Sequence, residues 1–272
     1  MRAGLVQLTS GDDPAANLGE TLRLVREAVA GGADFVLTPE VTNIVSMDRA
    51  HQRAVLQPEA HDPTLAALRN EARAAGIWLL IGSLAVKTED ADGRFANRSF
   101  LISPQGEIAA RYDKIHMFDV EISESETYRE SAGYRPGTRA VLAETPLGRI
   151  GLTICYDLRF PELFRRLAGA GAQIITVPAA FSPVTGAAHW ESLLRARAIE
   201  TGCFILAPAQ TGQHSPRRAT HGHSLAVAPW GEVLADAGTE PGVTLVDLDL
   251  ADVEHARSRV PSLKHHREFE GP

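Results

Sequence analysis

Apolar strand-like runs alternate with amphipathic helical stretches along most of this chain, a rhythm that lays helices on the faces of a largely parallel sheet. The pattern predicts a strand over 2–8, a helix over 14–30 and a strand over 35–37. It recurs as a helix over 63–75 before a strand over 77–81, and as a helix over 161–170 before a strand over 174–177. Apolar runs at 204–207, 224–228 and 243–248 complete a sheet-rich core, while 118–138, rich in Glu, Ser and Gly, reads as a long loop. The two half-chains echo one another too loosely to define a repeat. No linker or low-complexity stretch divides the chain, so residues 1–272 are expected to form a single α/β domain ending in a charged tail, 258–272.

At 272 residues and 44% hydrophobic, the chain can bury a sizeable core. A formal charge of −7 offers no basic footprint for nucleic acid or an anionic membrane, which leaves a small molecule as the expected partner. No apolar run is long enough to cross a bilayer. Only two cysteines, Cys155 and Cys203, and a start without the apolar stretch of a signal peptide suggest a reduced, cytoplasmic setting.

The segment 148–162 ends an apolar strand on a cysteine and then turns into a helix start. Ile150, Leu152 and Ile154 alternate with Gly151 and Thr153, and Pro161 with Glu162 suits a first helical turn. Taken alone, a thiol there reads as buried and structural. Its place near a helix N-terminus is nevertheless one where a thiol pKa is expected to fall and the reactive thiolate to form. Glu40 follows the strand 35–37 through Thr38 and Pro39, at the strand-end position where open α/β sheets build sites. Lys114 lies between a strand-like stretch and the loop 118–138, beside apolar Ile115 and Met117. That loop offers Glu121, Glu124, Glu126 and Glu130, and composition does not choose among them. A Glu, Lys and Cys together form a coherent set. The carboxylate takes the thiol proton, the sulfur attacks a carbonyl or nitrile carbon, and the ammonium with the backbone N–H of Tyr156 holds the oxyanion.

Thr38, Pro39 and Glu40, the stretch YDKIH at 112–116 and the stretch ICYDLRFPE at 154–162 occur in this order, and with them the chain resembles the nitrilase, or carbon–nitrogen hydrolase, superfamily. The likeness continues through AFSPVTG at 180–186, HWE at 189–191, RARAIE at 195–200, GHS at 222–224 and PWGE at 229–232, essentially the whole chain. The resemblance implies Glu40 as general base, Lys114 as oxyanion stabiliser, Cys155 as nucleophile and Glu130 as a second glutamate. It implies an αββα sandwich that pairs to αββααββα in a dimer or larger assembly. Helices near 161–170 and 187–200 would lie at the contact, with the tail 258–272 reaching toward a neighbour. Tyr156 and Asp157 stand where true nitrilases carry Trp and Glu, which favours amides over nitriles. The segment 181–203 and the context of Gln210, Gly212, His214 and Arg218 look most like the deaminated glutathione amidase branch, with ω-amidase as its neighbour. The first would release 2-oxoglutarate and cysteinylglycine from transaminated glutathione, a metabolite repair. The second would release 2-oxoglutarate and ammonia from 2-oxoglutaramate.

Arg159, the cation nearest Cys155 in sequence, is the expected partner of a substrate carboxylate, or else an ion-pair partner of Asp157, Glu162 or a loop acid. Phe181 and Thr185 are expected pocket walls. His116, His189 and His223 read as structural histidines, and Cys203 as a packed thiol. Neither His221 with His223 nor His265 with His266 completes a metal set, so no metal and no cofactor are expected. Two rivals stand beside the amidase reading. One is an N-carbamoyl amino-acid hydrolase on the same residues. The other is a catalytically silent regulatory subunit, against which the joint presence of Glu40, Lys114 and Cys155 argues.

Overall fold

The computed structural model describes residues 1–123, 126–265 and 267–271. The chain runs through β1 (Arg2–Gln7), α1 (Pro14–Ala30), β2 (Phe35–Leu37), α2 (Arg49–Val55), α3 (Pro63–Ala75), β3 (Trp78–Lys87), β4 (Phe95–Ile102) and β5 (Ile108–Asp113). A two-stranded ribbon follows, β6 (Asp119–Ser123) with β7 (Glu126–Arg129). The second half contains β8 (Val141–Thr145), β9 (Gly148–Leu152), α4 (Pro161–Gly169), β10 (Ile174–Thr176), α5 (Pro183–Thr201) and β11 (Phe204–Ala207). It closes with a second ribbon, β12 (Thr211–Ser215) and β13 (Arg218–His221), then β14 (Leu225–Val227), β15 (Val233–Asp236), β16 (Gly242–Asp247) and α6 (Ala251–Arg259).

Two six-stranded sheets carry the fold, ordered β16-β1-β2-β3-β4-β5 and β8-β9-β10-β11-β14-β15. In the first, β1, β2 and β3 are parallel and are flanked by antiparallel β16 and β4. In the second, β9, β10 and β11 are parallel and are flanked by antiparallel β8 and β14. The loose echo between the half-chains is therefore a repeated sheet architecture, invisible as sequence identity because only apolar pattern and strand order repeat.

Alternation of side chains on each strand sorts the layers. Leu5, Phe35, Leu37 and Leu80 share one core cluster with Ile150, Leu152, Ile174 and Leu206, so these faces of the two sheets meet. Val6, Val36, Leu79 and Ile81, on the opposite face of the first sheet, join Leu24 and Val25 of α1 and Leu65 and Leu68 of α3 in another cluster. Helices α4 and α5 contribute Leu163, Phe164, Leu167, Trp190 and Leu194 to the main cluster and cover the second sheet. The result is the expected αββα sandwich. Helix starts follow their caps: Asp13, Asp62 and Ser182 accept backbone N–H groups in the first turns of α1, α3 and α5, each with proline at the entry. Among the described residues no helix is long and apolar enough to cross a membrane.

Two expectations are corrected. The stretch 118–138 is not a bare loop, because it forms the β6–β7 ribbon and a 3₁₀ turn at Glu130–Ala132. Its polar composition hid the strands, which lie outside both sheets. The strand predicted over 77–81 runs on to Lys87 through an irregularity between Ile81 and Leu84, where Gly82 reads as a stop in sequence. In the segment after α6, Leu263 packs against the main core; His266 and Pro272 lie outside the described residues.

Candidate active site

Three strand ends deliver the predicted trio. Glu40 lies three residues beyond β2, Lys114 immediately after β5 and Cys155 three residues beyond β9. The Glu40 loop is held against the irregular part of β3. The N–H of Ser83 donates to Pro39 O at 3.2 Å, and the N–H groups of Val41 and Thr42 donate to Ser83 Oγ and Ser83 O at 2.8 and 2.9 Å. Gly82 is required there, because a Cβ would stand 1.9 Å from the Thr38 carbonyl oxygen. Val41, a β-branched residue, takes φ 46°, and Cys155 takes φ 50°, so strained backbone flanks the base and forms the thiol turn.

Lys114 is 2% exposed and stands between two carboxylates. Its Nζ donates to Glu40 Oε1 at 2.9 Å and to Glu130 Oε1 and Oε2 at 3.0 and 2.8 Å. Asn97, from the middle of β4, ties the acids together, its Nδ2 donating to Glu40 Oε1 at 2.9 Å and to Glu130 Oε1 at 3.3 Å. Glu130 Oε2 also accepts the Phe118 N–H at 2.7 Å, which fastens the 3₁₀ turn to the start of the ribbon. Among the described residues, Glu130 is thus the acid of 118–138 that reaches the cluster, whereas Glu121 pairs with Arg129 at the surface. Glu124 lies outside the described residues.

Burial works against the charged form of all three central groups, and their mutual arrangement decides the outcome. At Glu40 burial is overcome by Lys114, by the Cys155 thiol and by Asn97, so the carboxyl stays below its ordinary range. At Lys114 burial is overcome by Glu130, Glu40 and Cys155, so the ammonium persists well above its usual limit. At Cys155 burial wins, with Glu40 adding to it, and the thiol is pushed well above its ordinary value despite Lys114 and a hydrogen bond from the Ala180 N–H. The expected thiol acidification by a helix end is therefore overturned. Cys155 opens a 3₁₀ turn, Cys155–Arg159, and α4 begins only at Pro161. The resting cluster is carboxylate, ammonium and thiol.

Asp157 accounts for two of the sequence motifs. It is fully buried and accepts the Ile154 N–H at 2.8 Å, the Tyr112 hydroxyl at 2.6 Å, and the His116 N–H and Nδ1 at 3.1 and 2.6 Å. It therefore clamps the cysteine turn to the strand end that carries Lys114. His116, stacked on Phe160 with centroids 3.5 Å apart, is structural as expected. Cys203 is buried, with its sulfur 3.2 Å from Ala172 O and 3.1 Å from Arg257 Nη2, a packed thiol. Among the described residues no group of His, Cys, Asp or Glu could hold a metal ion.

Above the trio opens a cavity of ≈260 Å³, whose lining includes Tyr156, Phe181 and Thr185. Arg159 does not line it. Its guanidinium lies over the Tyr156 and Phe181 rings at 5.9 and 5.5 Å and meets His189 Nδ1 at 3.3 Å, and Asp157, one of its expected alternative partners beside Glu162 and a loop acid, is taken by Tyr112 and His116. Besides Lys114, the cationic lining comes from Arg49, Arg129 and Arg218. Sequence reasoning missed Asn97, Arg49, Tyr128 and Tyr134. Asn97 gave no distinct signal, because it is one of three consecutive polar residues, Asn97, Arg98 and Ser99.

The chain matches the carbon–nitrogen hydrolase family model over residues 2–258. A deaminated glutathione amidase of Yersinia enterocolitica is 41% identical over 97% of this chain and 92% of that protein. The NitFhit protein of C. elegans superposes with a TM-score of 0.91 at 35% identity, over 98% of this chain and 65% of that longer one. Nit3 of Saccharomyces cerevisiae, a member of branch 10 of the nitrilase superfamily, superposes with a TM-score of 0.86 at 27% identity, over 96% and 94%. With its sandwich, its strand-end cluster and its full-length match in agreement, this chain belongs to the carbon–nitrogen hydrolase family.

Proposed function

We propose that the chain is a thiol amidase that hydrolyses deaminated glutathione to 2-oxoglutarate and cysteinylglycine, as a repair step in the cytoplasm. The observation that carries the reading is the buried Glu40, Lys114 and Cys155 cluster on the floor of a cavity. The name of the Yersinia relative supports the choice of substrate.

In this reading Glu40 takes the proton from Cys155 Sγ as the sulfur bonds to the amide carbon, so a free thiolate need not accumulate in the resting enzyme. Lys114 Nζ and the Tyr156 N–H hold the oxyanion. On collapse the C–N bond breaks, Glu40 returns the proton to the departing nitrogen, and a thioester remains on Cys155. Water then gives a proton to Glu40 and its oxygen to the acyl carbon, and expulsion of Sγ, reprotonated by Glu40, frees the acid. One amide and one water give one acid and one amine. Glu130 and Asn97 act as positioning groups for Lys114 and Glu40.

The deciding assay is 2-oxoglutarate release from deaminated glutathione and from 2-oxoglutaramate, with Cys155→Ala as control. The expected result is the higher kcat/KM on deaminated glutathione and no turnover by the variant. A higher value on 2-oxoglutaramate would make the chain an ω-amidase. Undiminished turnover by Cys155→Ala would remove the thioester.

A further inference from the structure

The proposed substrate has a carboxylate at each end, one on the 2-oxo acyl half and one on the glycine of the departing dipeptide. The cavity carries arginines suited to both. Arg129 is already paired with Glu121. Arg49 and Arg218 have no carboxylate partner among the described residues; only neutral groups hold them. Arg49 Nη1 donates to Gln52 Oε1 at 2.9 Å, and its guanidinium lies 5.1 Å over the Tyr134 ring. Arg218 Nη2 donates to Ala180 O at 2.6 Å, Nη1 donates to the Tyr128 hydroxyl at 3.0 Å, and the guanidinium lies 5.1 Å over the Tyr128 ring. A guanidinium has five N–H donors in a planar fork, so each retains donors for an anion while its aromatic and neutral contacts fix its plane.

The two arginines belong to different walls. Arg49 stands at the end of the segment that continues from Glu40 through Val41, Ile44 and Met47, all of which line the cavity. Glu40 is the group that returns a proton to the departing nitrogen, so this wall flanks the leaving half. Arg218 is bonded to Ala180, whose own N–H reaches the Cys155 sulfur, and it shares its wall with Phe181 and Thr185. That wall flanks the half that stays on sulfur.

We propose that Arg218 binds the carboxylate of the acyl half and Arg49 the carboxylate of the leaving half, so that the site selects amides bearing a negative charge on both sides of the scissile bond. This assignment rests on the amidase reading above. It explains how a chain of net charge −7 draws in a dianionic substrate: the attraction is local to the cavity.

The test compares three substrates on each enzyme: deaminated glutathione, its analogue with the glycine carboxylate converted to an amide, and 2-oxoglutaramate. Wild type should prefer the free glycine carboxylate over its amide by roughly 10- to 100-fold in kcat/KM, the worth of a charged hydrogen-bonded pair. Arg49→Gln should erase that preference, and its loss on deaminated glutathione should exceed its loss on 2-oxoglutaramate by the same factor. Arg218→Gln should lower kcat/KM on all three while keeping the preference. A preference is a ratio measured on one preparation, so partial misfolding does not imitate its loss. If Arg49→Gln kept the wild-type preference, or Arg218→Gln lost activity on none of the three, the proposal would be overturned. Wild type inactive on both 2-oxo amides would instead overturn the substrate reading on which it rests.

Discussion

At the scale of single residues, Glu40 faces a cation, a thiol and an amide at once. Burial raises the Cys155 pKa most, the Glu40 charge raises it further, and Lys114 opposes both. Glu40→Gln removes the second of these and leaves Lys114 with one carboxylate fewer to neutralise it. The thiolate is thereby favoured, and the pH profile of Cys155 alkylation by iodoacetamide should move to lower pH while amide turnover is lost. The two effects have opposite signs, which separates a general base from a residue that merely supports the fold. Alkylation that kept the wild-type profile would show that the carboxylate and the sulfur are not coupled. Cys203, hydrogen-bonded beneath Arg257 and buried, serves as the slow internal reference in the same experiment.

At the scale of elements, the site depends on how closely strand-end loops approach one another. Gly82→Ala tests this without touching a reacting group. The added methyl would meet the Thr38 carbonyl at 1.9 Å and Pro178 Cβ at 2.5 Å, so the Glu40 loop or the segment after β10 must shift. Overpacking of this kind costs about 1–3 kcal/mol. The expected outcome is a lowered Tm together with a fall in kcat, and a variant with wild-type kcat would show that the loop tolerates displacement. Elements of this kind were only partly legible in the sequence. Helix α1 and strand β2 were read with their observed bounds, because Asp13, Pro14 and an apolar period mark the one and a fully buried run marks the other. The β6–β7 ribbon was not, since its strands are polar and lie outside the two sheets. Within the site, Glu40, Lys114 and Cys155 were legible because each stands at a strand end beside a recognisable motif. Arg49 and Arg218 were not, because they come from a short helix and a ribbon far from Cys155 in sequence. Arg159, close in sequence, is turned instead toward His189.

At the scale of the whole molecule, the outer surface over the second sheet stands apart from the rest. Ile199 of α5 is 57% exposed, and Val260 and Trp230 beside it are 56% and 43% exposed. These three line one hollow with Pro229, Pro261 and Leu263, and Val184 at the opposite end of α5 is 59% exposed. Exposed apolar side chains gathered around one hollow, with Arg257 and Lys264 beside them, suit a surface that a partner covers. The repeated architecture of the two sheets leaves α4 and α5 as an outer layer that a second copy can meet in the same way, as a two-fold interface requires. We therefore propose a homodimer through α4 and α5, burying on the order of 1,000 Å² or more, the size a stable interface needs. Light scattering on the purified chain should give twice the chain mass, and Ile199→Asp, which places a charge in the hollow, should give a folded monomer. A wild-type monomer at assay concentrations would remove the dimer. A monomeric Ile199→Asp variant with unchanged kcat/KM would show that the cavity above Cys155 is completed within one chain.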